Sequence, residues 1–552
     1  MLALVALTVL AGSALANPPA EPDHGTNETR FPILWSGDED GTVRTGDEGG
    51  RDVALRQLAN GTDLPLNAPL QDVERWNAGD IEEFPDTNRS VSIRPMHADT
   101  GGGRFVKDAH ATLFSIQPST RARLSPSEQP LYVGSDGEVL GTVDYRVRIP
   151  ENDTTGDRQI YWSLEEHRID ETRLVIDGET VSSSGGSHTP QFDFADLDPG
   201  SHRIAIEADV FVELEKHVRT EETECEYREN TTRCWTDVDH DYSHPTETIT
   251  VQDDRAVVGY ELSVTGKRAS YPDGSTGLVL SANQPWLGYS LPNGNVSGVW
   301  RFYSARDPSW DTLVYESAND STRRHSPLHP LQVNAFPLEM GASASQPTAR
   351  VVATDGERRD APTLPEDVNL DVANGSYTGS ETLVTRTSND VSTIEVQGLV
   401  RGVSQTLEPS DLERVEIHES NLTLSIVNES ETTARVEVSL TDDSTGDPIA
   451  TADRKGFVVI GNERVNTTAD GTVEVMLDDP GVAISARYTP GEWWNDGPGY
   501  VRDSQMITTS GPSLTVLTTL FRFAVPVVLF LLAVYLIDRI TTWRIWPPWR
   551  GL

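Results

Sequence analysis

Hydrophobic and polar residues alternate along most of this chain with a period of two. Over residues 141–149, Val143, Tyr145, Val147 and Ile149 alternate with Thr142, Asp144, Arg146 and Arg148. That spacing puts the apolar side chains on one face of a half-buried strand. A longer run follows the turn signal Asp198-Pro199-Gly200. In it Ile204, Ile206, Ala208, Val210, Val212 and Leu214 alternate with Ala205, Glu207, Asp209, Phe211 and Glu213. Residues 246–251 alternate Thr with Ile and Val and are expected to return beside that run. Further candidate strands fall at 257–264, 277–280, 299–303 and 393–400. In the last module Val436, Val438 and Leu440 alternate with Arg435, Glu437 and Ser439. Turn chemistry follows at 441–448, then runs at 457–460, 473–477 and 482–488.

One segment departs from the alternation. Residues 514–537 read LTVLTTLFRFAVPVVLFLLAVYLI, 24 residues with the single charge Arg522. At 1.5 Å per residue they span about 36 Å, enough to cross a hydrocarbon core of about 30 Å with some tilt. The expected fold class is therefore all-β: tandem Ig-like β-sandwich domains on a single C-terminal transmembrane helix. The expected organisation is a signal peptide at 1–16, an irregular acidic region at 17–105, and a β-sandwich with a long pinned hairpin at 106–253. A β-rich domain follows at 254–407, an Ig-like sandwich at 408–508, the span at 514–537 and a cytoplasmic tail at 538–552. Within 17–105, residues 52–58 and 72–76 read as short helices. Residues 304–365 read as loop-like and Pro-rich.

The run TGDPIATADRKGFVVIGNERVNTTADGTVEVML in the last sandwich resembles the transthyretin-like or carboxypeptidase-regulatory-like module. The features are Thr445-Gly446-x-Pro448-Ile449, the strand at 458–460, and Asp470-Gly471-Thr472 before a strand. The resemblance implies a fold and transfers no active residues.

Flanking chemistry sets the expected topology. Arg539, Arg544 and Arg550 follow the span and no acid follows Asp538, so the tail is expected in the cytoplasm and the body outside. Trp543, Trp546 and Trp549 fit an inner aromatic belt. The apolar run 2–15 ends in Ala14-Leu15-Ala16, a small-residue cleavage pattern, although no Lys or Arg precedes it. Arg522 lies in the outer third of the span. It either snorkels outward or contacts a partner helix, and snorkelling is the plainer reading.

Charge then narrows the class. The chain holds 44 basic and 86 acidic residues, a balance of −42, and only four of the cations are lysine. Such a field repels nucleic acid and anionic lipid from the body, so no nucleic-acid partner is expected. At molar salt the Debye length is about 3 Å and the self-repulsion is screened. Acid excess with scarce lysine resembles exported single-span surface glycoproteins of salt-loving archaea. Eleven of 21 asparagines open an N-x-S/T triplet: Asn27, Asn60, Asn88, Asn152, Asn230, Asn295, Asn319, Asn374, Asn421, Asn428 and Asn466. Chance predicts about four, which suggests a glycosylated exterior on the side assigned outside.

Cys225 and Cys234 read as a disulfide near the tip of the long hairpin, beside Asn230. The segment Asp237-x-Asp239-His240-Asp241-x-x-His244 offers alternating carboxylates that suit Ca²⁺. Tyr242, however, stands where an EF-hand loop needs Gly, and no Glu closes the ligand set, so a solvated turn is the plainer reading. No cofactor is otherwise expected. No H-E-x-x-H, G-x-S-x-G, P-loop or G-x-G-x-x-G pattern occurs. Trp493 and Trp494 precede the span. If they lie on a strand they face opposite ways, and one can meet lipid or a partner. Trp300, Phe302, Tyr303 and Trp310 pose the same question for a sugar, and in both cases packing in the core is the plainer reading.

Three roles stand open. The first is a non-catalytic, glycosylated, membrane-anchored surface protein whose partners are an envelope protein, a glycan or its own copies. The second is a spike of an enveloped virus of haloarchaea, which would need Trp493-Trp494 exposed. The third is a surface hydrolase whose site carries no recognisable pattern.

Overall fold

The computed structural model describes residues 88–541, apart from 311, 327–329, 346–347, 364–371, 431, 453–455, 496–498 and 510–512. The expected signal peptide, the helices at 52–58 and 72–76, and the acceptors Asn27 and Asn60 lie outside the described residues. So does the tail beyond 541. Two compact units divide the chain. One takes residues up to 265, 280–385 and 391–409; the other takes 266–279, 386–390 and 410 onward.

In the first unit, the alternation at 141–149 falls in the strand Leu131–Val147 up to Val147, with Ile149 exposed beyond its end, and the longer one falls in Gly200–Arg228. Val106–Ala122 pairs antiparallel with Leu131–Val147. Thr246–Gly259 returns antiparallel along Gly200–Arg228 and meets Leu131–Val147 in parallel at Val258 and Gly259. Arg158–Ile176 takes the other edge of Gly200–Arg228. The sheet wraps until its apolar faces meet. Ala109, Ala111 and Leu113 from one layer share a core with Ile204, Ile206, Val210 and Leu214 from the other. Burial of these branched side chains, at about 25 cal/mol per Å², drives the closure.

A second core lies on the opposite face of the first two strands. There Phe114 and Leu140 pack with Ile93, Trp300, Phe302, Trp310 and Leu313. Chain from well downstream completes it. Leu331–Pro337 pairs parallel with Val106–Ala122, and Trp300–Arg306 pairs with Leu331–Pro337. Thr312–Ser317 pairs with Val91–Pro95. The loop-like reading of 304–365 is thus corrected, since strands also occupy Ser321–His325 and Ala349–Arg359. Ser321–His325 reads STRRH and is exposed throughout. Backbone pairing holds it, and that leaves no apolar period in the sequence. Likewise, Val91–Pro95 lies in the region expected to be irregular.

The second unit contains a β-sandwich. Ser420–Glu429, Thr433–Asp442 and Thr472–Asp478 form one sheet. Glu463–Val465, Phe457–Ile460, Ala483–Thr489 and Ser504–Thr508 form the other. Val436, Val438 and Leu440 face Val458, Ile460, Ile484 and Tyr488 across the core. The helix Ser513–Thr541 carries the apolar stretch Thr518–Ile537, long enough to cross a membrane, with Pro526 inside it. Among the described residues the protein is thus all-β apart from one C-terminal membrane-span candidate.

Candidate interaction arm

Gly200–Arg228 is 29 residues long, about 95 Å if regular. Its first half is clamped between two strands. The pairing with Arg158–Ile176 ends at Thr220, and the pairing with Thr246–Gly259 begins at Glu213. Beyond Thr220 a single partner remains, Thr231–Ser243, in unbroken register from Lys216–Ser243 to Arg228–Thr231. His244-Pro245 separates this partner from Thr246–Gly259. The last stretch is therefore a two-stranded ribbon, roughly 27 Å long. Every residue from 222 to 244 is exposed.

A bare two-stranded ribbon is marginal in water, and four local devices hold this one. Its two-residue turn, Glu229-Asn230, has φ of 43° and 69°. Positive φ at both positions gives the primed turn whose twist matches the strands, and Asn tolerates it best among residues with a side chain. Asn230 Oδ1 accepts a hydrogen bond from Tyr227 OH at 2.7 Å. Cys225 and Cys234 face each other directly and are disulfide-bonded. Near the base, Tyr161, His217 and Tyr242 stack in one row across three strands. Their centroid distances are 5.7 Å for Tyr161–His217 and 4.4 Å for His217–Tyr242. His240 joins diagonally at 5.0 Å.

The register sorts the arm into two faces. One carries His217, Arg219, Glu221, Cys225 and Tyr227 against Tyr242, His240, Val238, Cys234 and Thr232. The other sets Glu222 opposite Asp237, Glu224 opposite Trp235 and Glu226 opposite Arg233, with Asp239 and Asp241 further down. Residues 221–243 hold eight acids and two arginines, a balance of 2 − 8 = −6. Tyr227, Trp235 and Tyr242 are 67%, 49% and 55% exposed. Among the described residues nothing pairs with the outer edge of Thr231–Ser243, an open row of backbone donors and acceptors.

The structure places the other sequence candidates as follows. Asp237, Asp239 and Asp241 sit on a regular strand, which corrects the solvated-turn reading. Side chains two apart on a strand stand about 7 Å from each other, and they do not converge. His244 lies 4.0 Å from Glu213. Among the described residues, no group of three or more metal-ligating side chains comes together. Trp493 lies in a turn, 5% exposed, and donates to Tyr271 OH at 3.0 Å. Trp494 packs edge-on against it. Trp300, Phe302 and Trp310 are buried in the second core. Arg522 is exposed on the apolar helix. The nine acceptor asparagines within the described residues are all exposed.

Sequence reasoning missed a buried polar patch. His110 faces Asp144 and Thr112 faces Thr142 across two adjacent strands. Asp144 accepts the N–H of Ile93 at 2.7 Å and of Tyr145 at 2.8 Å, with His188 Nδ1 at 3.5 Å. Burial lowers the His110 pKa to about 4, against the raising effect of the Asp108 carbonyl. Burial also pushes Tyr145 up to about 12. Because a carbonyl can only accept, His110 Nδ1 carries the proton toward Asp108 O, leaving Nε2 bare. No Ser, Thr or Cys side chain bonds either His110 or His188 among the described residues. The cavity beside Arg255 and Asp307 measures about 10 Å³, room for one water.

Three family models match in tandem. They are the N-terminal domain of DUF8186, a domain of unknown function, over residues 82–260, its central domain over 264–408 and its C-terminal domain over 417–507. The first two matches fall largely within the unit whose second core they share. No curated protein matches by sequence. Solved structures give faint likenesses. SGBP-B of the Bacteroides ovatus mixed-linkage glucan utilization locus, in complex with a mixed-linkage heptasaccharide, is 11% identical, with a TM-score of 0.11 over 62% of this chain. This chain spans only 60% of the length of that protein. The central fibronectin-III array of RIM-binding protein is 9% identical, with a TM-score of 0.12 over 66% of this chain and 95% of its own. The Bacillus anthracis TIE protein is 10% identical, with a TM-score of 0.13 over 87% and 85%. Scores this low carry no argument about function.

Proposed function

We propose that this chain of three DUF8186 domains is a non-catalytic, glycosylated surface protein. It is held by residues 518–537 in the membrane with its body outside, and it makes its contacts through the arm. The arm carries the reading. A protein does not expose a ribbon with three large aromatic side chains and an open edge without a use for it, because such edges invite aggregation. Its acid load and the Asn230 acceptor at its tip keep that edge from pairing indiscriminately.

Orientation rests on Arg539, Arg544 and Arg550 after the span. The disulfide suits an oxidising exterior. The exposed acceptor asparagines suit glycosylation, and the charge balance suits concentrated salt. A virus-spike role is less well supported, because Trp493 is packed inside its own unit.

The test is an Arg-specific protease applied to intact cells. Cleavage at Arg228 or Arg233, with the tail arginines intact, is the expected result. A protected arm with a digested tail overturns the orientation and the role together.

A further inference from the structure

We propose that His217 and His240 form a two-imidazole site for a divalent transition-metal ion of the Cu²⁺ or Ni²⁺ type, on the aromatic face of the arm. His217 Nε2 and His240 Nδ1 lie 2.7 Å apart across the ribbon, and their rings are within 15° of parallel. The two residues are 23 apart in sequence, and the register brings them together. Neutral imidazole nitrogens are good ligands for Cu²⁺, Ni²⁺ and Zn²⁺ and poor ones for Ca²⁺.

The spacing selects among those ions. With metal–nitrogen bonds near 2.05 Å, a 90° angle at the metal needs the nitrogens about 2.9 Å apart, whereas a tetrahedral angle needs about 3.3 Å. The observed separation is close to the first value. Square or octahedral cis coordination therefore asks the rings to part by about 0.2 Å and pivot, with water completing the shell. Tyr161 and Tyr242 hold the His217 ring in place from its two sides. Such pre-orientation lowers the entropic cost of chelation.

The charged neighbours are compatible with a dication. Arg219, the cross-strand partner of His240, is ion-paired to Glu221 and donates to Gln159 at 3.0 Å. Asp239 and Asp241 lie on the reverse face of the ribbon and add a favourable field. In the free pair one ring nitrogen donates its N–H to the other. For both nitrogens to face a metal, that ring must carry its proton on the remote nitrogen instead.

The experiment uses the full chain in lipid nanodiscs, titrated with Cu²⁺ and followed by calorimetry and electron paramagnetic resonance. One site per chain with two-nitrogen coupling is expected. His217→Gln and His240→Gln should each weaken it roughly a hundredfold, because the second imidazole binds intramolecularly. His244→Gln should leave it unchanged. Amide exchange over the arm is a second readout, in which Cu²⁺ should slow exchange in the parent chain and not in His240→Gln. Equal affinity in parent and His240→Gln, or exchange that Cu²⁺ does not alter in the parent, overturns the site. The outcome is independent of membrane orientation.

Discussion

The strand Gly200–Arg228 is two structures in one element. From Ile204 to Leu214 every second side chain is fully buried in the first core. From Glu222 to Arg228 every side chain is exposed, although the same register with a partner strand continues. The backbone is alike in both halves, so the hydrogen-bond ladder does not distinguish them. Burial stabilises the lower half. In the upper half a turn, a disulfide and a stack of rings take its place. A strand can therefore be extended well past its core, provided local chemistry replaces the lost apolar area.

The strongest way to break the contrast is at the base. Ile206→Ala removes a fully buried side chain and should lower global stability by about 3–4 kcal/mol in chemical denaturation. An equivalent truncation on the arm, Val238→Ala, should leave the midpoint unmoved. A loss at Val238 equal to that at Ile206 would show that the arm is part of the core.

Acid probes the base next. His110 titrates near 4 when folded and near 6.5 when unfolded. As pH falls from about 6.5, the unfolded chain takes the proton first. Stability therefore declines down to about pH 4 and levels below it, by on the order of 3 kcal/mol for this group. His110→Gln should remove that portion of the pH slope. An unchanged slope would mean that the ring is already hydrated and charged.

Cys225→Ser with Cys234→Ser sharpens the upper half. Closing so short a loop constrains the unfolded chain by at most about 3 kcal/mol, and the ribbon already orders it. The global midpoint should shift by less than about 0.5 kcal/mol, while amide exchange over 222–236 accelerates roughly tenfold. A large global shift would contradict the separation of arm from base.

The smallest effect concerns like charges. Glu222 stands directly opposite Asp237. Glu222→Gln should slow arm exchange by an amount worth about 0.3 kcal/mol in dilute buffer. At molar salt the difference should vanish, since screening acts within about 3 Å.

Much of this architecture is written locally. The alternation at 204–214 placed each buried residue on the correct face, and Cys225 and Cys234 with the intervening Asn230 marked a hairpin tip. The 514–537 run needed only length and composition. What escaped were contacts made at a distance. Nothing in the STRRH of Ser321–His325 announces a strand, because its stability comes from a neighbour's backbone. His110 sits in no motif that would mark it. Its burial depends on a second core closed by residues some two hundred positions later. The sequence drew attention to Asp237, Asp239, Asp241 and His244, which a strand spreads along one face or beyond it. It passed over His217, which the register brings diagonally next to His240.

Taken alone, the chain determined its class, its membrane candidate and the faces of its long strands, because periodicity and apolar length are properties of neighbours in sequence. Tertiary structure decided which strands share a core, how far Gly200–Arg228 runs beyond it and which imidazoles meet. Those depend on pairing between segments, and pairing energy is spread over many weak contacts that leave no local mark.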